Sequence, residues 1–307
     1  MPVTADLGVG AYCGVPVLLP DGSLYGTLCG LDGDARPDLT ADQVMVLSVI
    51  ASLLGQQLAE LGAEKQAAAA ERTELLELLH GSRLAIVGQP IVDVRTGTRP
   101  GFEALSRFTD RAGQPCRPDV VFAEATRLAL GPTFELAAVT AALEFLPRLP
   151  DTAYLSVNLS AATLCTQQCQ EVLAPAPLPR LVLELTEHEA VQDYGQLAGA
   201  MAELRRAGLR LAVDDVGAGF SSLQHILRLN PDVIKLDISL TRTIGADPAR
   251  RALAAGFAGL ARELGSALVA EGVETEQERD TLLALDVYLM QGFLLGRPAP
   301  IDAPDRR

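Results

Sequence analysis

In the stretch RLAVDDVGAGFSSL, Arg210 to Leu223, an apolar run, Leu211-Ala212-Val213, meets two adjacent carboxylates, Asp214 and Asp215, and a glycine-studded turn follows. Ionised carboxylates at the end of a buried run are costly unless they are paired or bind metal. The pattern recurs along the chain: Glu103, Asn158, Glu184, Lys235, Glu271 and Gln291 each lie within or at the end of an apolar run. Any one of these alone reads as a helix cap or a surface ion pair. Together they set five carboxylates against one lysine. Crowded like charges raise carboxylate pKa values and oppose folding, whereas two divalent cations would bring the sum to zero. All-oxygen donors, with an Asn carbonyl among them, suit magnesium, manganese or calcium. Two such ions about 4 Å apart generate a nucleophile from water and clamp a phosphodiester for in-line attack.

Such convergence needs a fold that gathers strand ends. From about residue 83, apolar runs alternate with amphipathic stretches: LAIVGQPIVDV, GFEALSRF, AYLSVNLS, RLVLELTE, LRLAVDDVG, DVIKLDISL, SALVAEGVE and VYLMQGFLLG. Eight strands with interleaved helices predict an α/β fold, a (β/α)8 TIM-type barrel, whose strand C-termini share one mouth. A doubly wound open sheet is the alternative, disfavoured because no glycine-rich phosphate loop follows an early strand. Successive strand residues point to opposite faces. Asp214 and Asp215 can therefore share the mouth only if the strand end turns into the glycine loop.

The remaining composition narrows the function. The chain has 307 residues, a net charge of −14 and 49% hydrophobic residues. The negative charge disfavours a broad grip on a nucleic-acid polymer or an anionic membrane. No stretch is expected to approach the run of about 20 apolar residues that spans a bilayer, and no secretory leader is evident, so a soluble cytoplasmic protein is expected. The five scattered cysteines read as free thiols. The three histidines, His80, His188 and His225, fall in no catalytic motif.

These residues carry a resemblance. The chain from about 83 to 300 resembles the EAL-domain cyclic di-GMP phosphodiesterases: Glu103-Ala104-Leu105 followed by Arg107, GQPIVD, SVNLS with Asn158, LELTE with Glu184 and Glu187, DDVGAGFSSL, IKLD with Lys235, AEGVE with Glu271 and Glu274, and MQGFLLGRP with Gln291. The resemblance implies a modified barrel with one antiparallel strand, and hydrolysis of cyclic di-GMP to linear pGpG with Mg2+ or Mn2+, inhibited by Ca2+. It implies that Glu103, Asn158, Glu184 and Asp214 bind one ion, and Asp214, Asp215 and Glu271 the other. Lys235 would hold the attacking water, and Gln291 would order water near the metals. Gln89 and Leu105 would line the nucleotide pocket, and Arg107 would contact a phosphate. Glu187 would anchor the loop after Asp215 through Ser221, with support from Glu274. A homodimer is the family habit. Val216 and Phe220 depart from the family's usual aromatics in that loop, and the segment after the signature, TDRAGQPCRPDVVFAEATRLALG, also reads differently.

Residues 1–62 resemble the C-terminal part of a GAF sensory domain: two strands around Pro20-Asp21-Gly22, then a helix capped by Thr40. Residues 63–82 read as a helical linker or a signalling helix that pairs across a dimer, and 83–307 as the EAL domain. Besides an active phosphodiesterase, the residues leave open a receptor that binds cyclic di-GMP without turnover and an interaction module that relays signals. Retention of every polar motif position favours the enzyme.

Overall fold

The computed structural model describes residues 9–36, 40–185, 191, 193–217 and 221–300. It divides into two compact units, residues 1–74 and 75–307.

In the first unit, β1 (Ala11–Leu18) and β2 (Leu24–Asp32) form an antiparallel hairpin. Gly22, at φ +83°, closes its turn. Helix α1 (Ala41–Leu76) follows. The Thr40 N–H donates to Gln43 Oε1 at 3.0 Å, one half of a reciprocal N-terminal cap. Val15 and Val17 pack on Ala51, flanked by Leu47, Leu54 and Leu58 at helical spacing. Strand, turn, strand and helix thus occur in the expected order. The helix runs unbroken past residue 62, so the closing helix and the linker expected beyond it are one element. Its composition also corrects one expectation: Ala41–Leu79 contains an 18-residue window of mean hydropathy 1.6, long and apolar enough to cross a membrane.

The second unit is a closed eight-stranded barrel. Its strands are β3 (Leu84–Asp93), β4 (Thr98–Thr109), β6 (Tyr154–Asn158), β7 (Leu181–Leu185), β8 (Arg210–Val216), β9 (Val233–Leu236), β10 (Ala267–Ala270) and β11 (Leu289–Met290), with a short β5 (Pro115–Cys116) added to β4. The order β3-β11-β10-β9-β8-β7-β6-β4 closes through β3–β4 pairing. Strand β3 runs antiparallel to both neighbours, and the other barrel pairs are parallel. The expected barrel and its one reversed strand are both present. Around it lie α2 (Pro118–Arg127), α3 (Gly131–Leu143), α4 (Ala161–Leu164), α5 (Gln167–Leu173), α6 (Tyr194–Arg206), α7 (Ser221–Leu229), α8 (Ile238–Thr241), α9 (Pro248–Leu264) and α10 (Glu276–Ala284). Local chemistry sets their ends. Helix α9, for example, starts with Asp247 capping two backbone N–H groups and Pro248 at its first position, and stops at Gly265 in the left-handed region.

Strand alternation layers the barrel interior. Ile91, Tyr154, Val182, Ala212, Val233 and Val269 form an apolar floor. Gly101 faces Tyr154 across the strand pair, and a Cβ there would fall 2.3 Å from the ring. The next inward position on each parallel strand lies two residues on. It is Glu103, Ser156, Glu184, Asp214, Lys235 or Glu271, and on β11, where Leu289 pairs with Val269, it is Gln291. On the reversed β3 it lies two residues back, at Gln89. The polar set is therefore one layer of the barrel, directly above its floor.

Candidate metal centre at the barrel mouth

Lys235 stands at the centre of that layer. Its Nζ lies 2.7 Å from Glu271 Oε1, 2.9 Å from Glu184 Oε2, 3.3 Å from Asp214 Oδ1 and 3.5 Å from Glu103 Oε2. Lys235 and Glu184 are each only 1% exposed. Burial would lower the Lys235 pKa, but the charges of Asp214, Glu103, Glu184 and Glu271 hold it well above the usual lysine range. The carboxylates divide. Burial pushes Glu184 well above the carboxylate range, with Glu103 and Asp214 adding to the rise against Lys235. Burial likewise pushes Glu271 up to about 8. For Glu103 the burial effect is outweighed by the Lys235 charge and by hydrogen bonds from Gln291 and Asn158, and its pKa falls below the ordinary value.

Amides fix the rim. Asn158 Nδ2 donates to Glu103 Oε1 at 3.1 Å. Gln291 Nε2 donates to Glu103 Oε2 at 2.6 Å and to Gln89 Oε1 at 3.0 Å. Gln89 in turn donates to the Gly296 carbonyl at 3.1 Å.

A bulge answers the question posed by the aspartate pair. On β8, Val213 pairs with Ile234 and Val216 with Leu236, so Asp214 and Asp215 together oppose Lys235. A bulge of this kind places an extra residue in one strand and re-aims its side chain. Asp215 takes φ +53°, rare for a residue with a Cβ, and its N–H donates to Asp214 Oδ1 at 2.9 Å. Both carboxylates thereby reach the mouth. The strand leaves through Gly217, at φ +111°, where a Cβ would fall 2.2 Å from Leu240.

The result is two carboxylate groups with a shared member. Ligand oxygens of Glu103, Glu184 and Asp214 lie within 4.8 Å of one another, as do those of Asp214, Asp215 and Glu271. The donors are all hard oxygen. Gln291 Oε1 is buried and has no hydrogen-bond partner among the described residues, as an acceptor facing metal-coordinated water would. The residues present therefore fit divalent cations.

Two cavities flank this layer. One of about 270 Å3 includes Gln89, Glu103, Asp215, Glu271, Gln291 and Phe293 in its wall. The other, about 470 Å3, includes Leu105, Arg107, Phe122, Glu135, Val139 and Asn158. Gln89 and Leu105, expected in one nucleotide pocket, thus line different cavities. Arg107 is exposed, its Nη1 donating to the Ser106 carbonyl at 2.8 Å.

Seen against its relatives, the match is broad. The pattern described as the EAL domain matches residues 41–298. The chain belongs to the EAL-domain family. It is 30% identical over 220 residues to the Escherichia coli K12 protein named probable cyclic di-GMP phosphodiesterase PdeD, covering 69% of this chain and 41% of that one. Klebsiella pneumoniae BlrP1, solved as a calcium/cyclic di-GMP complex, superposes with a TM-score of 0.63 at 31% identity, covering 71% of this chain and 56% of that one. The PaMucR phosphodiesterase, solved with cyclic di-GMP, gives a TM-score of 0.67 at 28% identity, covering 75% and 98%. The chain spans less than half the length of its curated relative PdeD.

The loop assignments fare less evenly. Glu187, Phe220 and the Ser221 side chain lie outside the described residues. Val216 is fully buried among Val213, Ile226, Ile234 and Ala261. Glu274 pairs with Arg242 at 2.6 Å and lines the smaller cavity.

Glu278, which the sequence reading passed over, ties two other loops together. It accepts backbone N–H groups of Thr243, Glu274 and Thr275 at 2.9–3.0 Å and completes a capping box with Thr275. The T-x-x-E pattern was its sequence signal. Burial would raise the Glu278 pKa, but these donors hold it below the ordinary value. A lowered folded pKa contributes stability above the unfolded pKa and loses it as pH falls through the folded one. Glu278→Gln should therefore cost about 1–3 kcal/mol near neutrality, with the gap to wild type closing below about pH 4. Urea unfolding of both proteins across pH checks this. A pH-independent gap would refute it.

Proposed function

We propose that this protein hydrolyses cyclic di-GMP to linear pGpG using two Mg2+ or Mn2+ ions. The observation that carries the reading is the pair of carboxylate groups sharing Asp214 beside Lys235, at the barrel mouth of an EAL-family chain. Solved relatives named as calcium or manganese complexes with cyclic di-GMP support it. Glu103, Asn158, Glu184 and Asp214 would hold one ion, and Asp214, Asp215 and Glu271 the other. When bound, the ions supply Lewis-acid charge for in-line attack of water on the phosphodiester.

The chain's own residues do the positioning. Lys235 orients the water from below. The Gln291 carboxamide oxygen accepts a hydrogen bond from water at the mouth. Arg107 meets a phosphate from the rim. The cavities on either side of Glu103 and Asn158 suit a ligand with two nucleotide halves, one base to each. Water adds to phosphorus and gives up a proton, the bond to the 3′ oxygen breaks, that oxygen takes up a proton to become a hydroxyl, and the 5′-phosphate stays on the linear product. Ca2+, with longer and looser coordination, would occupy the site without supporting turnover.

The test is purified protein incubated with cyclic di-GMP, with linear product followed over time. Product should form with Mg2+ or Mn2+ and stop on adding EDTA. Tight binding without turnover would make the protein a receptor instead. Neither binding nor turnover would overturn both readings.

A further inference from the structure

We propose that Ser156 is a positioning residue of the metal centre, one that sets the plane of the Glu184 carboxylate. The inference rests on the metal-binding reading above.

Ser156 lies on β6, two residues before Asn158 and on the same inward face. It pairs with Glu103 on β4 and with Val182 on β7, so it stands between the strands that carry two of the carboxylates. The residue is 1% exposed. Its Oγ–H donates to Glu184 Oε1. The other carboxylate oxygen, Oε2, receives Lys235 Nζ at 2.9 Å. The two oxygens of Glu184 are thus held by different strands, a hydroxyl on β6 and an ammonium on β9. With two fixed donors the carboxylate plane is set before any ion arrives.

A hydroxyl suits this role better than a second cation. It donates one hydrogen without placing a second positive charge beside the ion. Glu184 forms one of the two carboxylate groups with Glu103 and Asp214, their ligand oxygens within 4.8 Å of one another. Donors of this kind behind a ligand typically govern metal affinity by 10–100-fold. Alanine at 156 removes the donor while deleting a single buried oxygen, so packing changes little.

The experiment titrates Mn2+ into wild type, Ser156→Ala and Ser156→Thr, reading free Mn2+ by electron paramagnetic resonance, with thermal melts of the metal-free proteins. Ser156→Ala should weaken Mn2+ binding about 10-fold while the metal-free melting temperature moves little. Its kcat at saturating Mn2+ should recover most of the wild-type value, because the loss lies in holding the ion. Ser156→Thr keeps the hydroxyl and should restore the affinity. Wild-type affinity in Ser156→Ala would overturn the proposal, as would equal weakening in both variants, which would mark a packing role. If Ser156→Ala fails to fold, Ser156→Cys, with a weaker donor of similar size, is judged by the same criteria. Wild-type protein that binds no Mn2+ would overturn the metal reading itself, a result distinct from tight wild-type binding that the variants share.

Discussion

Asp214→Asn should lower cyclic di-GMP hydrolysis by about 1,000-fold or more, near the upper range for removal of one charge-stabilising group. Asp214 is the member common to both carboxylate groups, so its loss strips a charge from two ion sites at once. Asp215 and Glu184 each belong to one group, and their amide variants should leave one ion bound. Binding stoichiometry separates the cases. Wild type should take up two Mn2+ ions, Asp215→Asn one tightly, and Asp214→Asn neither at wild-type affinity. The fold should survive, because Asp214 lies at the end of β8, above the apolar floor rather than within it. Near-normal turnover in Asp214→Asn would refute the shared-ligand assignment.

Lys235→Met should have the largest effect on stability. The substitution keeps the length of the stem and removes the ammonium that faces Glu103, Glu184, Asp214 and Glu271. Breaking a buried ionic set by deleting one partner costs about 3–5 kcal/mol, or about 10 °C in melting temperature for a unit of this size. Part of the loss is recovered as the carboxylates take up protons, which Glu184 and Glu271 already favour. Divalent cations offer the other remedy, since a ligand that binds only the folded state stabilises it. Mn2+ should therefore raise the melting temperature of Lys235→Met by more than it raises that of wild type, while turnover stays far below wild type. A metal-free variant as stable as wild type would refute a stabilising role for the buried ammonium.

Much of this was legible in the residues. The strand–helix alternation predicted the barrel, and the excess of carboxylates over lysines at strand ends predicted a site needing external positive charge. Both follow from short-range rules, alternation along a strand and the cost of uncompensated charge. Other features were hidden. Ser156 looked like an ordinary strand residue, although its place two before Asn158 put it on the same face. Glu278 was visible as a capping box, but not as the tie between the loops after α8 and β10. The unbroken run of α1 was read as two segments because composition shifts near residue 62 while helical propensity does not.

The aspartate pair shows where the division falls. The sequence by itself determined that Asp214 and Asp215 sit at the end of an apolar strand, in a chain with more buried carboxylate than one lysine can neutralise. It could not say how neighbours that should point to opposite faces come to share one mouth. Only the tertiary structure decided that, through a register shift against β9 in which two residues oppose Lys235, with Asp215 in the left-handed region. Register is set by the pairing of strands brought together from distant parts of the chain. A property of two strands at once cannot be read from either alone.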